Sequence, residues 1–305
     1  MSPSTPFDPD ELLRDDEEQA PAVRGPRRRT IGEGPAAGRE ILTNTASTRV
    51  ARVAGLARRS ARSKHRRFLV EGPQGVREAV RFSQERVLDV YLTEVALERH
   101  SEIWQEAQDA GLYAHVVSGP VMEAMSRDAQ GVLAVVAMDE ATGSEALARA
   151  LEGARLVAVL AEAQDPGNAG TMIRAADAAG ADAVILARGS VEATSPKVVR
   201  ASAGSLFHLP VVTGVALDDA VDAVRAAGLT VLAADARGDF DLFEAGDLLA
   251  APSAWLLGNE AHGLPPEALG LADAVVSIPV YGKAESLNVA AAAALCLYTS
   301  ARAVR

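Results

Sequence analysis

An α/β fold built on a mostly parallel sheet is the class this sequence predicts, and three observations predict it. Strand-like apolar runs alternate with helix-period segments over most of the chain, a pattern that places helices on the faces of a parallel sheet. Runs such as "LVAVLAEA", "AVILARG" and "AWLLGNEA" are nearly continuous in apolar residues, as strands are when both sheet faces are covered. Polar, glycine-bearing segments follow three of the strands, at the carboxyl ends where open parallel sheets gather ligands.

Residues 1–40 are rich in Pro, Gly and charge with few apolar positions, so a disordered tail is expected, because nothing there offsets the entropy of ordering. Residues 45–138 have the pattern of a small α/β domain with mostly parallel pairing. A basic helix is followed by strand "FLVEG", helix "PQGVREAVRFS", strand "VLDVYLT", helix "EIWQEAQDAG", strand "YAHVVS", helix "PVMEAMS" and strand "GVLAVVAM". Residues 139–153 form a linker with some helical character. The second domain, 154–305, opens with "LVAVLAEA". It continues with a helix over 168–180, strand "AVILARG", helix "SPKVVRASAGSLF", strand "LPVVTG" and helix "LDDAVDAVRAAG". Strands "TVLAADA", "AWLLGNEA" and "AVVSIPV" and an Ala-rich helix close it. No solenoid repeat is evident.

With 305 residues and 49% hydrophobic content, the chain has apolar material for two domains. A single cysteine, Cys296, cannot form an internal disulfide and fits a reducing compartment. Nothing in the N-terminal segment resembles an export signal and the apolar runs are too short to span a bilayer, so a cytoplasmic protein with no membrane partner is expected. The net charge of −11 argues against a nucleic-acid partner, but the charge is unevenly spread. "DPDELLRDDEEQ" is acidic, "RGPRRR" is basic, and Arg49 to Phe68 holds eight Lys or Arg and no acid. That last segment fits either a solvated amphipathic helix or an RNA-facing surface carried by Arg58, Arg59, Lys64, Arg66 and Arg67; its charge density favours RNA.

Three segments at strand ends carry polar groups. "AQDPGNAGTMIRAADAAG" turns at Asp165-Pro166-Gly167, places Asn168 to cap a helix, and projects Arg174 from among Ile173, Ala175 and Ala176, where a guanidinium calls for an anionic partner. "LLGNEAHGLP" offers Gly258 and Gly263 for close backbone approach, with Asn259 and Glu260 beside them. It matches neither GxxxxGK[ST] nor GxGxxG, so nucleotide hydrolysis and nicotinamide oxidoreduction lose ground. "IPVYGKAESLNVAAAA" leaves a strand at Ile278-Pro279 and sets Ser286 and Asn288 at the start of the last helix, positions suited to capping and to lining a pocket.

In this order, N-x-G-x-x-x-R (Asn168, Gly170, Arg174), G-N-E-x-x-G-L (Gly258 to Leu264) and I-P…E-S-L-N-V (Ile278 to Val289) resemble the three signature motifs of the SpoU/TrmH family of RNA 2′-O-ribose methyltransferases. The resemblance covers 154–305. More loosely, "RRFLVEGPQGVREAV" and "AQGVLAVVAM" are similar to the small substrate-binding domain that precedes many of these enzymes. It implies an α/β knot: a parallel sheet whose C-terminal segment makes a deep trefoil knot, preceded by a smaller α/β domain. S-adenosylmethionine would be held in the knot at Gly258, Ile278 and Leu287, with no metal. Asn168, Arg174, Glu260, Ser286 and Asn288 fall on the family's catalytic positions, and a homodimer through the closing helix is implied.

The implied activity is methyl transfer to a ribose 2′-hydroxyl of RNA, with ribosomal RNA of the large subunit favoured. A tRNA substrate, or an RNA-binding assembly factor without turnover, is the alternative. A guanidinium stays protonated, so Arg174 suits a clamp on phosphate and developing alkoxide, with Glu260 as rival proton acceptor or as its orienting partner. Lys197, Arg200 and Ser202 in "SPKVVRASAGSLFHLPV" are placed to touch RNA or simply to build a helix. His262 stands where many relatives carry Lys or Arg, which weakens an RNA contact there, and His208 has the context of a structural residue.

Overall fold

The apolar runs build two separate sheets in the computed structural model, which describes residues 40–139, 143–259 and 263–304. The expectation of a disordered tail and those placed on Glu260 and His262 concern residues outside these ranges. The first body runs β1 (Ile41–Leu42), α1 (Thr48–Gly55), α2 (Arg59–His65), β2 (Arg67–Glu71), α3 (Pro73–Phe82), β3 (Val87–Thr93), α4 (Glu94–Arg99), α5 (Ser101–Asp109), β4 (Ala114–Val117), α6 (Gly119–Met125) and β5 (Val132–Ala137). The second runs α7 (Gly143–Leu151), β6 (Leu156–Leu160), α8 (Pro166–Ala179), β7 (Ala183–Leu186), α9 (Pro196–Ala201), β8 (Val211–Thr213), α10 (Leu217–Ala226) and β9 (Thr230–Ala234). It continues with β10 (Phe240–Asp241), α11 (Gly246–Ala250), β11 (Ser253–Leu257), α12 (Pro266–Leu269), β12 (Ala274–Ser277) and α13 (Val289–Val304).

The second sheet is wholly parallel, in the order β10-β12-β9-β11-β6-β7-β8. Its faces bury different residues, as the two-residue period of a strand requires. Trp255 points into the core under α8 and α13 with Met172, Ile173 and Leu297, while the adjacent Leu256 points to the opposite face with Val221 and Val224. The segment expected as a linker contributes α7, whose Leu147, Ala150 and Leu151 are buried on that second face.

The first sheet corrects the expectation of mostly parallel pairing. Its order is β1-β4-β3-β5-β2, and β5 runs antiparallel to both its neighbours. The chain leaves β4 through the seven-residue helix α6 and a tight turn before β5. It turns through left-handed Gln130 and Gly131 and enters beside the end of β3, where the Thr93 N–H donates to the Gly131 carbonyl at 2.9 Å.

The expected single basic helix is also two helices. Arg62 explains the break: its Nη1 donates to the carbonyls of Leu56 (3.0 Å) and Ala57 (2.7 Å) at the end of α1. The same guanidinium, almost fully buried, donates to Glu192 of the second body through Nε (2.9 Å) and Nη2 (2.6 Å). Likewise the helix expected over 195–207 stops at Ala201, because Ala203 and Gly204 are left-handed. A Cβ on Gly204 would lie 2.5 Å from the Glu78 Cγ, so the two bodies meet there without room for a side chain.

Other contacts complete this seam. Phe68 stacks on Phe207 with centroids 6.4 Å apart, and Arg200 pairs with Glu71 and, at 3.0 Å, with Asp128. His208 bridges the bodies as a structural residue, its Nδ1 2.8 Å from Asp177 on α8 and its Nε2 3.1 Å from Glu78 on α3. Burial acts to lower the His208 pKa, but the hydrogen bonds and charges of Asp177 and Glu78 outweigh it and raise it above the ordinary 6.5. Among the described residues, no helix is long and apolar enough to cross a membrane.

Two outcomes follow from the seam. The raised His208 pKa means that its stabilising contribution is fully present below about pH 6.5 and disappears as pH climbs through the folded-state value. His208→Gln should therefore lower Tm more at pH 6 than at pH 8.5, with equal losses at both pH values counting against the bridge. Arg62→Ala leaves Glu192 without its buried partner and should cost about 3–5 kcal/mol in denaturant unfolding.

Candidate active site

Strand order determines where a ligand crevice opens. From β6 the chain adds β7 and β8 on one side, then crosses to lay β9, β12 and β10 on the other, with β11 between β9 and β6. The direction switches between β6 and β11, which pair in register from Leu156–Ser253 to Leu160–Leu257. Ligands of open α/β sheets bind at such switch points, beyond the carboxyl ends of the strands. The segment after β6 carries Asp165 to Arg174, and the segment after β11 begins at Gly258.

Asp165 caps α8, which corrects the cap assigned to Asn168. Its Oδ1 accepts the Asn168 N–H at 2.8 Å, and Pro166 fills the first helical turn, where a missing N–H costs nothing. That hydrogen bond, helped by Lys197 at 3.4 Å, holds the Asp165 carboxyl below the usual carboxylate range despite the opposing effect of burial. The Asn168 side chain is thereby released, and its Oδ1 accepts from Asn288 Nδ2 at 3.1 Å. Asn288 also caps α13, its Oδ1 accepting the N–H groups of Ala290 (2.9 Å) and Ala291 (3.4 Å). Asn288 thus serves both as a cap and as a site group.

The segment after β11 folds back on itself. Asn259 and Gly263 exchange backbone hydrogen bonds of 3.0 Å, and a Cβ on Gly258 would lie 2.4 Å from the Gly263 carbonyl carbon. Asn259 Nδ2 reaches across to donate to the Glu162 carbonyl at 3.2 Å, tying this loop to the one after β6. Glu162 has φ 56, and Asp235, at the end of β9, lies 3.6 Å from the position a Gly263 Cβ would take. Hydrogen bonding from Arg237 holds Asp235 below the ordinary carboxylate range. Sequence reasoning missed both residues: a left-handed Glu and an Asp brought in by strand order leave no local pattern.

The loop over 278–288 carries the chain from the end of β12, past the ends of β9 and β11, to α8. Ile278 packs against the core, while Ser286 and Leu287 are exposed on the loop. Arg174 is exposed on α8, about 9 Å along the axis from Asn168. It has no hydrogen-bond or ion-pair partner among the described residues. The anionic partner expected for it is not among the described residues, and Glu260, the carboxylate named for that role, lies outside them. Gly170 has a packing role, since its Cβ would come within 2.5 Å of the Ala201 Cβ where α8 crosses α9.

Of the basic residues, Arg58, Arg59, Lys64 and Arg67 are exposed, with Arg59 3.8 Å from Glu192. Arg66 Nη2 donates to the Asp139 carbonyl at 2.5 Å. Lys197 sits beside Asp165, Arg200 is engaged in the seam, and the Ser202 hydroxyl is buried, donating to the Val199 carbonyl at 2.8 Å. Cys296, buried on the inner face of α13, has its thiol pushed up to about 12 by burial, which keeps it protonated at neutral pH.

Comparisons with known proteins fall on the same two sheets. The model of the SpoU rRNA methylase family matches residues 155–298, and that of the RNA 2′-O ribose methyltransferase substrate-binding domain matches residues 69–142. The class so defined is an RNA methyltransferase with a preceding substrate-binding unit. The 23S rRNA (guanosine(2553)-2′-O)-methyltransferase RlmP of Bacillus subtilis is 34% identical over 239 residues, 78% of this chain and 89% of its own. The solved SpoU methyltransferase AviRb of Streptomyces viridochromogenes, in complex with AdoMet, is 30% identical with a TM-score of 0.71, covering 84% of this chain and 98% of its own. An AdoMet-bound rRNA methyltransferase of Sinorhizobium meliloti is 28% identical with a TM-score of 0.72, covering 86% and 97%. This chain belongs to the SpoU family of RNA 2′-O-ribose methyltransferases and is an S-adenosylmethionine-dependent enzyme. The crevice suits that cofactor in its backbone: the loop after β11 is closed so tightly at Gly258 that a Cβ there would meet the Gly263 carbonyl, leaving main-chain groups to face a ligand.

Asn288→Ala should cost about 0.5–2 kcal/mol in denaturant unfolding through the lost cap and should also lower methyl transfer. Asn288→Ser, which keeps a cap but is too short to reach Asn168, should recover most of the stability without the activity; full activity in the Ser variant would remove the Asn168 contact from the mechanism.

Proposed function

We propose that the enzyme methylates a ribose 2′-hydroxyl of ribosomal RNA, in the large subunit. The similarity to RlmP, named for a 23S rRNA guanosine, supports this substrate. A Streptomyces viridochromogenes relative named for a 23S rRNA uridine is 43% identical over 142 residues, so the target base is left open. In this reading, residues 45–138 bind RNA, 139–153 connect, and 154–305 carry out the transfer. The loop over 278–288 and α13 would complete a trefoil knot, and exposed Leu295 and Tyr298 on α13 suit a homodimer contact. Cytoplasmic localisation accords with a ribosomal substrate.

The observation that carries the catalytic assignment is the hydrogen bond from Asn288 to Asn168, which joins the third motif to the first at the switch point. S-adenosylmethionine, held at Gly258, Ile278 and Leu287, supplies an electrophilic methyl group. The residues of the chain then have to orient the ribose and manage one proton and one developing negative charge. With its Oδ1 occupied by Asn288, Asn168 keeps its amide N–H groups for the substrate. Arg174, permanently charged and exposed on α8, clamps the adjacent phosphate and stabilises the developing alkoxide. Ser286, exposed on the crossing loop, lines the ribose side, and Glu260 is retained as the carboxylate that orients Arg174 or accepts the proton.

Arg174→Ala should reduce methyl transfer to ribosomal RNA by roughly 100-fold or more at saturating cofactor, with S-adenosylmethionine binding retained in calorimetry. Near-normal turnover would exclude Arg174 from the mechanism.

A further inference from the structure

A cleft of about 690 Å³ opens between the two bodies, one strand away from the crevice at β6 and β11. Its walls carry five arginines, Arg59, Arg66 and Arg86 from the first body and Arg149 and Arg188 from the second, against two carboxylates, Asp139 and Glu192. Glu192 is already bound by Arg62 from behind the wall. Such an excess of positive charge stands out in a chain of net charge −11, and a low-dielectric cleft of one sign concentrates the opposite charge.

The arginines are held in position, but much of their donor capacity remains unused. Arg86 Nε donates to the Ala137 carbonyl at 3.1 Å, Arg66 Nη2 to the Asp139 carbonyl, and Arg188 Nη2 to the Gly214 carbonyl at 3.4 Å. A guanidinium has five N–H donors, so each anchored arginine keeps several for a ligand. Arg149 comes only within 3.9 Å of Asp139 and is 61% exposed.

The cleft wall is continuous with the proposed site. Residues 187–194 line the cleft on one side and grip the segment after β6 on the other. The Ala163 N–H donates to Ser190 Oγ at 3.1 Å, and the Val191 N–H donates to the Ala163 carbonyl at 2.8 Å. Gly189 has φ +98, and its Cβ would stand 3.4 Å from the Glu162 Cγ. A chain of phosphates leaving the site along this wall meets guanidinium groups from both bodies.

We propose that this cleft binds the phosphodiester backbone of a single-stranded stretch of the substrate RNA flanking the target ribose. The inference rests on the proposed function and extends it to Arg86, Arg149 and Arg188. At about 690 Å³ the cleft has the volume of a small-ligand pocket, which is room for a short extended stretch of one strand. RNA recognition that discriminates sequence commonly uses such unpaired segments.

The test compares the wild-type protein with Arg149→Ala/Arg188→Ala, two exposed positions outside the catalytic and cofactor groups. Binding of ribosomal RNA fragments is measured over a salt series, together with kcat, KM for RNA and S-adenosylmethionine affinity. The double variant should lose about 1.4 from the slope of log K against log salt, at roughly 0.7 per single-strand phosphate contact. KM should rise about tenfold, with kcat and cofactor affinity unchanged. Unaltered slope and KM would overturn the inference, as would a cleft that binds ATP tightly while RNA binding is insensitive to both substitutions. A wild-type protein that binds cofactor but methylates no ribosomal RNA would instead overturn the proposed substrate, which keeps the two failures distinct.

Discussion

The parallel pairing of β6 with β11 is the constraint on which the site depends. These two strands are distant in sequence, and their register brings Leu160 level with Leu257, so the loops that follow leave the sheet side by side. One loop begins a helix capped by Asp165, and the other closes on itself at Asn259 and Gly263. Because β9 and β12 lie beyond β11, the chain leaving β12 can reach α8 only by crossing the same edge. Burial of both faces enforces the arrangement: Trp255 is locked under α13, its Nε1 donating to Ser300 Oγ at 2.9 Å in a fully buried pair. An indole without that acceptor would leave an unpaid polar group in the core, so the last helix and the central strand fix each other.

The charge distribution follows from the same architecture. A chain with 41 acidic residues and 30 basic ones is an unlikely shape for an RNA enzyme when only the total is considered. Several carboxylates are nevertheless occupied internally: Glu192 meets Arg62, Glu71 meets Arg200, and Glu78 and Asp177 meet His208. They join the two bodies, and their charge is met there by Arg62, Arg200 and His208. Arg86 and Arg188, whose hydrogen bonds among the described residues go to backbone carbonyls, line the cleft. Net charge governs solubility and long-range steering, whereas binding depends on which charges are left uncompensated at one place.

Much of the second sheet was legible because its strands are unbroken apolar runs, and a strand buried on both faces reads that way without alternatives. Asn288 was legible as a cap because a polar residue immediately precedes a long apolar helix. The first sheet was less legible: nothing in "GVLAVVAM" says whether β5 runs up or down, because its direction shows only in its pairing with β2 and β3, strands distant in sequence. Arg62 was hidden among basic neighbours because its partner, Glu192, lies 130 residues away. Asn168 was misread as a cap because Asp165, three residues earlier, competes for the same role, and helix N-caps can be assigned only within a few residues from sequence. Arg174 was legible as a group projecting from the helix, and it is exposed on α8.

The contact at Gly170 has a mechanical consequence. With no side chain between them, α8 and α9 touch backbone to backbone, so neither can slide or rotate without the other. Helix α9 is anchored to the first body through Arg200 and Val199, and α8 begins beside Asn168. The two helices therefore form one packed unit that touches the first body at one end and carries Asn168 at the other.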